Sequence, residues 1–287
     1  MKTIPVRHIR SSLKEPDLFG NFSIRNVEEL LAGKNMVQEL HRHDFFYILA
    51  LTKGTGHHEI DFTTYEICDN SVFFMRPGHV HQLTLKAGSN GYLLQFKPDF
   101  YYPGDVSSRE LLRKASNKSL CQLDQERFKK LLSTLSTIFR EYTDQQEGYQ
   151  DVIKANLGIF FIELVRHRQE RSNAITPVNA YAEERLEELL ELLDNHITVH
   201  KQVSHYAGMM HLSPYQLNAI TKAALGKTCS ELINDRIVLE AKRNLLATTN
   251  QVNQVAYLLG YEDVSYFIRF FKKHTGYSPE AFRNNFR

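Results

Sequence analysis

The sequence predicts an α+β chain in two parts, and three observations carry that reading. Short apolar or alternating stretches recur at roughly ten-residue spacing between about residues 20 and 98, the pattern of an antiparallel barrel or jelly roll. Beyond them the period lengthens to the three-and-four spacing of helices and stays there. The C-terminal part also repeats itself, each copy reading as a helix-turn-helix. At 287 residues the chain has room for two domains with separate cores.

The strands come first. Phe45-Phe46-Tyr47-Ile48-Leu49-Ala50-Leu51 reads as a fully apolar strand, and Lys53-Gly54-Thr55-Gly56 as a turn. His58 to Phe62 alternates, Cys68-Asp69-Asn70 breaks, and Ser71 to Met75 is a strand closed by Arg76-Pro77-Gly78. Leu83 to Leu85 and Tyr92 to Phe96 complete the set. Two helical stripes follow. Leu123 to about Tyr142 carries Phe128, Leu131, Leu132, Leu135, Ile138 and Phe139; Tyr149 to about Arg168 carries Ile153, Leu157, Phe160, Phe161, Leu164 and Val165. The pair either packs on the barrel or forms a dimer seam, since both helices are more apolar than one barrel face requires. The period is lost from Arg171 to Asn179, around Pro177. The expected division is therefore a sensor and dimerisation domain over 1–172 (barrel about 20–98, helix pair about 123–170), a linker over 173–182, and a helical domain over 183–287.

In the duplication, Leu217, Lys222 and Gly226 recur as Phe267, Lys272 and Gly276, and Ala207 answers to Ala256 with a one-residue offset. The first copy has a helix from Val203 to Met209, a turn at Met210-His211-Leu212, and a helix opened by Ser213-Pro214. A Ser cap with Pro at the first helical position is a good start signal. The second has a helix from Val252 to Leu259, Gly260 at the left-handed turn, and Asp263 capping the next helix. Phe267, Phe270 and Phe271 are expected to face inward, placing Ser265, Arg269 and Lys272 outward. Arg pairs bidentately with guanine, and Lys suits phosphate. Between the copies, Ser230 to about Ala247 reads as one stiff helix able to set two recognition helices about one DNA turn apart. Charge agrees: from Thr198 to Arg287 there are eleven Lys/Arg against six Asp/Glu, while Glu183 to Asp194 holds six acidic residues and one Arg.

The runs Arg236 to Leu246, Val255 to Tyr261, Ser265 to Lys273 and Gly276 to Arg283 occur in order, and residues from about 186 to 287 resemble the DNA-binding domain of the AraC/XylS family. That resemblance implies a transcription regulator with a sensor domain in front, often dimeric. Carried over by position, the first recognition helix presents Pro214, Tyr215, Asn218 and Ala219 to DNA, with Lys222 behind. The second presents Val264, Ser265, Tyr266, Ile268 and Arg269, with Lys272 behind. Ala219 stands where members often carry Arg, and Thr221 where they carry Phe. Asn218 is left to reach an adenine edge, and Tyr215 a thymine methyl or a phosphate.

His41-Arg42-His43 and Arg76-Pro77-Gly78-His79-Val80-His81 resemble the two characteristic stretches of the cupin fold, as used by AraC-type sensor domains, over about residues 20 to 98. The resemblance implies a cupin-like barrel. In metal-binding cupins an HxH, a downstream Glu and a later His converge on one ion. Here Tyr47 takes the Glu position, and a phenol is a poor divalent ligand at neutral pH. Three readings stay open: an effector pocket lined by His41, His43, Tyr47, His58, His79, His81 and Gln95; a structural cluster; or a metal site of His41, His43 and His81. The expectation adopted is a pocket without metal or other cofactor.

The expected function is thus a sequence-specific DNA-binding transcription regulator controlled by an effector in the barrel, not an enzyme; activator is the working expectation, with activation or repression left open by the sequence. Its expected partners are double-stranded DNA, a small-molecule effector and a second copy of itself. Two alternatives stand beside it: a metal-dependent cupin enzyme fused to a helical domain, and an interaction module that no longer contacts DNA. The three cysteines form no CxxC pair. No membrane span and no secretory stretch is read, so a cytoplasmic location is expected.

Overall fold

The computed structural model describes residues 5–7, 9, 21–102, 104–173 and 177–286. The chain divides into two units, Pro5–Gln169 and Glu170–Arg287. No helix among the described residues is long and apolar enough to cross a membrane.

Turn residues between short β-rich runs fold the first unit into two five-stranded sheets. One orders β1 (Val6–Arg7), β3 (Met36–His43), β8 (Val80–Leu85), β5 (Gly56–Ile60) and β6 (Thr63–Ile67). The other orders β10 (Leu120–Gln122), β7 (Ser71–Met75), β4 (Phe46–Lys53), β9 (Asn90–Phe96) and β2 (Phe22–Asn26). All pairings are antiparallel except β1 with β3. The continuous apolar run of β4 follows from its place. Tyr47, Leu49 and Leu51 join Leu83, Leu85 and Leu93 in the core between the sheets. Ile48 and Ala50, on the opposite pleat, join a second core with the helices. A strand buried on both faces has no position left for a polar residue.

That second core is closed by α2 (Val106–Ala115), α3 (Gln125–Asp144) and α4 (Tyr149–Asn173). Phe128, Leu131, Leu135 and Ile138 of α3, with Ile153, Leu157, Phe160, Phe161 and Leu164 of α4, are buried there. Each such side chain contributes about 1.5–3 kcal/mol of transfer free energy. These faces are therefore used within the unit, whereas Val152, Ile159 and Ile162 of α4 stay exposed. Two helices went unforeseen, α1 (Val27–Leu31) and α2. Both are capped from the side chain before them: Asn26 accepts from the Glu28 and Glu29 N–H groups, and Asp105 from Ser108. Arg76, in the turn that closes β7, donates to the Arg113 and Ser116 carbonyls and so finishes α2.

The second unit is helical: α5 (Pro177–His196), α6 (Val203–Met209), α7 (Pro214–Leu225), α8 (Cys229–Ala247), α9 (Val252–Leu258), α10 (Val264–Thr275) and α11 (Pro279–Asn285). Helix begins at Pro177, inside the stretch expected to be linker, because the fixed φ of proline suits a first helical position. The 19-residue α8 is about 28 Å long and touches α6, α7, α9, α10 and α11. Buried Arg283 donates from Nε to the Leu245 carbonyl and from Nη2 to the Asn250 carbonyl, satisfying the end of α8. Arg236 of α8 pairs with Asp194 of α5 at 2.6 Å.

Candidate functional site

In the first helix-turn-helix, α6 buries Tyr206 and Ala207, and Ala207 lets α7 approach closely. The Leu212 N–H closes the turn on the Ala207 carbonyl at 2.8 Å, with His211 left-handed at φ 54°. Ser213 and Gln216 exchange side-chain and backbone bonds, a capping box that starts α7. The second motif repeats the bonding: Tyr261 N–H to the Ala256 carbonyl at 2.9 Å, with Gly260 at φ 72°. Glu262 is the extra residue behind the one-residue offset. Asp263 accepts from the Ser265 and Tyr266 N–H groups and starts α10. Gly226 and Gly276 end the two recognition helices in the same left-handed conformation.

On α7, Pro214, Tyr215, Ala219 and Lys222 are exposed, Tyr215 at 83%. Asn218 lies differently. Its Oδ1 accepts the Cys229 N–H at 2.9 Å, satisfying the start of α8, and its Nδ2 donates to the Pro214 carbonyl at 2.9 Å. The residue expected to read adenine is thus half-buried with both amide atoms engaged, a positioning group between α7 and α8. On α10, Ser265, Tyr266, Arg269 and Lys272 are exposed, and Val264 and Ile268 half-buried. Phe267 and Phe271 are buried as the spacing requires, but Phe270 is only half-buried, against Tyr261 and His274. Arg269 lies 3.9 Å from the Asp263 carboxylate, both exposed. Lys273, exposed beside Lys272, is a further candidate phosphate contact that the four-and-three spacing passed over.

Within the first unit, His41 and His43 on β3, Tyr47 on β4, His58 on β5 and His81 on β8 converge, all buried. The cross-strand pairing of His41 with His81 sets the frame. His81 is the hub: its Nε2 lies 2.7 Å from His43 Nε2 and 3.0 Å from His41 Nε2, and its Nδ1 lies 2.9 Å from His58 Nε2. The Tyr47 ring stacks on His43. Burial pushes His41 down to about 4 and His43 and His58 to about 3, and holds His81 well below its ordinary value. Neighbouring charges, imidazoles and Arg7, add to this. All four rings are therefore neutral at pH 7. Burial also raises the Tyr47 phenol, which stays protonated. Gln95 lies directly opposite Tyr47 on β9, on the same face, and is half-buried. His79 belongs elsewhere: it is half-buried at the turn before β8, with Nδ1 3.4 Å from the Asp61 carboxylate.

A double-sheet unit with a buried histidine cluster thus precedes a helical unit with two exposed recognition helices, the layout of a sensor ahead of a double helix-turn-helix. Two family models match the chain. The family model described as AraC-like ligand binding domain matches residues 32–155, and that described as helix-turn-helix domain matches residues 206–285. The chain is 24% identical over 257 residues to the HTH-type transcriptional regulator YfiF of Bacillus subtilis, spanning 86% of this chain and 79% of that protein. It is 24% identical over 249 residues to the HTH-type transcriptional activator RhaS of Escherichia fergusonii, spanning 85% and 86%. Among solved structures, fatty-acid-bound ToxT of Vibrio cholerae is 18% identical, covers 94% of this chain and 97% of that one, and gives a TM-score of 0.42. The chain belongs to the AraC family of transcription regulators, with a ligand-binding domain ahead of a helix-turn-helix DNA-binding domain.

Proposed function

We propose that this regulator reads a specific operator chiefly through α10 and grips it more generally through α7. Ser265 and Arg269 meet base edges in the major groove, and Lys222, Lys272 and Lys273 meet phosphates. Pro214, Tyr215, Ala219, Val264, Tyr266 and Ile268 supply shape and apolar contact, and Asn218 acts by holding α7 to α8. The observation that carries this reading is the outward-facing row of Ser265, Arg269 and Lys272 on α10, with the aromatic ring set of Phe267 and Phe271 buried behind it.

The division of labour follows the sequence expectation, with a sensor over 1–172, a connection over 173–182 and a DNA-binding domain over 183–287. A small-molecule effector enters the barrel beside His41, His43, Tyr47, His58, His81 and Gln95. The protein acts in the cytoplasm as an activator, is not an enzyme, and doubles its DNA footprint as a homodimer. The named activators among its relatives support activation.

The test is selection of bound duplexes from genomic fragments by the full chain, followed by shift assays at fixed salt. A recurrent sequence, bound far more tightly than scrambled duplex, is expected. No enrichment, or enrichment unaffected by Arg269→Ala, overturns the assignment of specific readout to α10.

A further inference from the structure

We propose that Lys201 is a positioning residue for DNA binding. Its ammonium clamps the loop ahead of the first helix-turn-helix to the turn of the second, and so fixes how α7 and α10 are presented to one duplex. The inference rests on the reading that both recognition helices meet DNA, and it concerns the second unit alone.

Lys201 lies between α5 and α6. Its Nζ donates to the Thr198 carbonyl at 3.1 Å, within its own loop, and to the Gly260 carbonyl at 3.1 Å, across the two motifs. The same ammonium stands 4.9 Å from the centre of the Tyr261 ring, within cation–π range. No carboxylate among the described residues pairs with it, and partial burial lowers its pKa by desolvation. Two carbonyl dipoles and a ring face thus replace the water that the ammonium has given up. The backbones meet directly beside it. A Cβ at Gly260 would stand 1.8 Å from the Thr198 carbonyl oxygen and 2.9 Å from Lys201 Nζ, so glycine admits an approach that other residues block.

Each side of the clamp is tied to a recognition helix. On the first side, buried Tyr206 of α6 donates from its hydroxyl to the His200 carbonyl at 2.7 Å, so the loop carrying Lys201 moves with α6. The Leu212 N–H bond to the Ala207 carbonyl then holds α6 to the start of α7. On the second side, the Tyr261 ring packs against Tyr266, Phe267 and Phe270 of α10. Helix α8 joins the motifs in sequence, and Lys201 joins them directly. Two bodies joined through one helix keep freedom to rock, and that freedom is lost, at a cost in entropy, when both seat on one duplex. A second link removes it in advance. Binding by both motifs is then one event, and the phosphate contacts of α7 add fully to those of α10.

The experiment has one arm without DNA and one with it, so that failure of the clamp and failure of the regulator reading are distinguishable. Spin labels are attached to the full chain at the equivalent positions of the two motifs, through Lys222→Cys and Lys272→Cys, with Cys68→Ser removing the exposed native thiol. Their separation is measured by pulsed dipolar spectroscopy. One narrow distribution is expected with Lys201 in place and a broader one with Lys201→Met, which keeps the stem and removes the donors. Lys201→Arg, which keeps donors and a cation over the ring, restores the narrow one. In the second arm, unlabelled chains are titrated at fixed salt with the selected operator and with that operator trimmed to the segment under α10. The unaltered chain is expected to prefer the longer duplex by roughly 100-fold, and Lys201→Met to lose about tenfold of that preference while binding the trimmed duplex as before. Equal label distributions in the two chains overturn the proposal, as does a preference for the longer duplex that survives Lys201→Met intact. A lowered melting temperature with neither change makes Lys201 a residue of stability alone and likewise overturns it. A narrow distribution that depends on Lys201, together with no selected duplex, sinks the regulator reading and supports the clamp. Should Lys201→Met fail to fold, the unaltered chain decides: a broad or double distribution without DNA overturns the clamp.

Discussion

The two helix-turn-helix motifs share a scaffold and differ in what they show the solvent. Both close their turns with the same backbone bond, to the Ala207 and Ala256 carbonyls, and both end their second helix at a left-handed glycine. On α10 the outward row carries a hydroxyl and two cations, while on α7 the corresponding row carries a tyrosine, an alanine and one lysine. The amide of Asn218, which sequence assigns to base reading, is spent inside the protein, on the start of α8. A duplicated fold thus does not mean duplicated readout. Base discrimination needs free donors and acceptors, and only one copy presents several.

The turns differ too. Position 260 must be glycine, since a Cβ there would stand 1.8 Å from the Thr198 carbonyl oxygen, whereas position 211 is an exposed histidine in the same conformation. The largest expected effect follows: Gly260→Ala costs about 3 kcal/mol of stability, read by thermal or urea unfolding. His211→Ala stays within about 0.5 kcal/mol, and equal losses at both positions would erase the distinction. Next, Arg269→Ala costs about 1–3 kcal/mol at the selected operator and relaxes one base position, whereas Tyr215→Ala weakens all duplexes alike. A base-specific loss from Tyr215→Ala would restore the first motif as a reader. Asn218→Ala removes a helix-start acceptor and costs about 1 kcal/mol of folding stability. Its residual DNA binding keeps the same sequence preference in repeated selection, and a changed preference would return Asn218 to the bases. Smallest and opposite in sign, His211→Gly raises stability by at most about 1 kcal/mol, because the left-handed backbone no longer carries a β-carbon.

The helical half was legible because its punctuation is chemical. Ser213-Pro214, Asp263, Gly226, Gly260 and Gly276 mark boundaries by capping and by left-handed geometry, and the helices begin and end there. The role of Asn218 was not legible, since its partner, the Cys229 N–H, is set by how α7 and α8 cross. In the barrel, β4 and the two histidine stretches stood out, but which faces met did not. A one-residue change of register inverts every side chain, so membership of His58 and exclusion of His79 waited on pairing across β5 and β8. Strand β1 escaped because two residues carry no period, and β10 because its three residues sit between helices.

Strand β4 separates two interiors by the thickness of a single backbone. Tyr47 touches the histidines, and its neighbour Ile48 is packed among the residues of α3 and α4. Packed protein interiors yield little volume under load. Whatever swells the space beside Tyr47 therefore moves the wall, and the helices behind it must slide or tilt to make room.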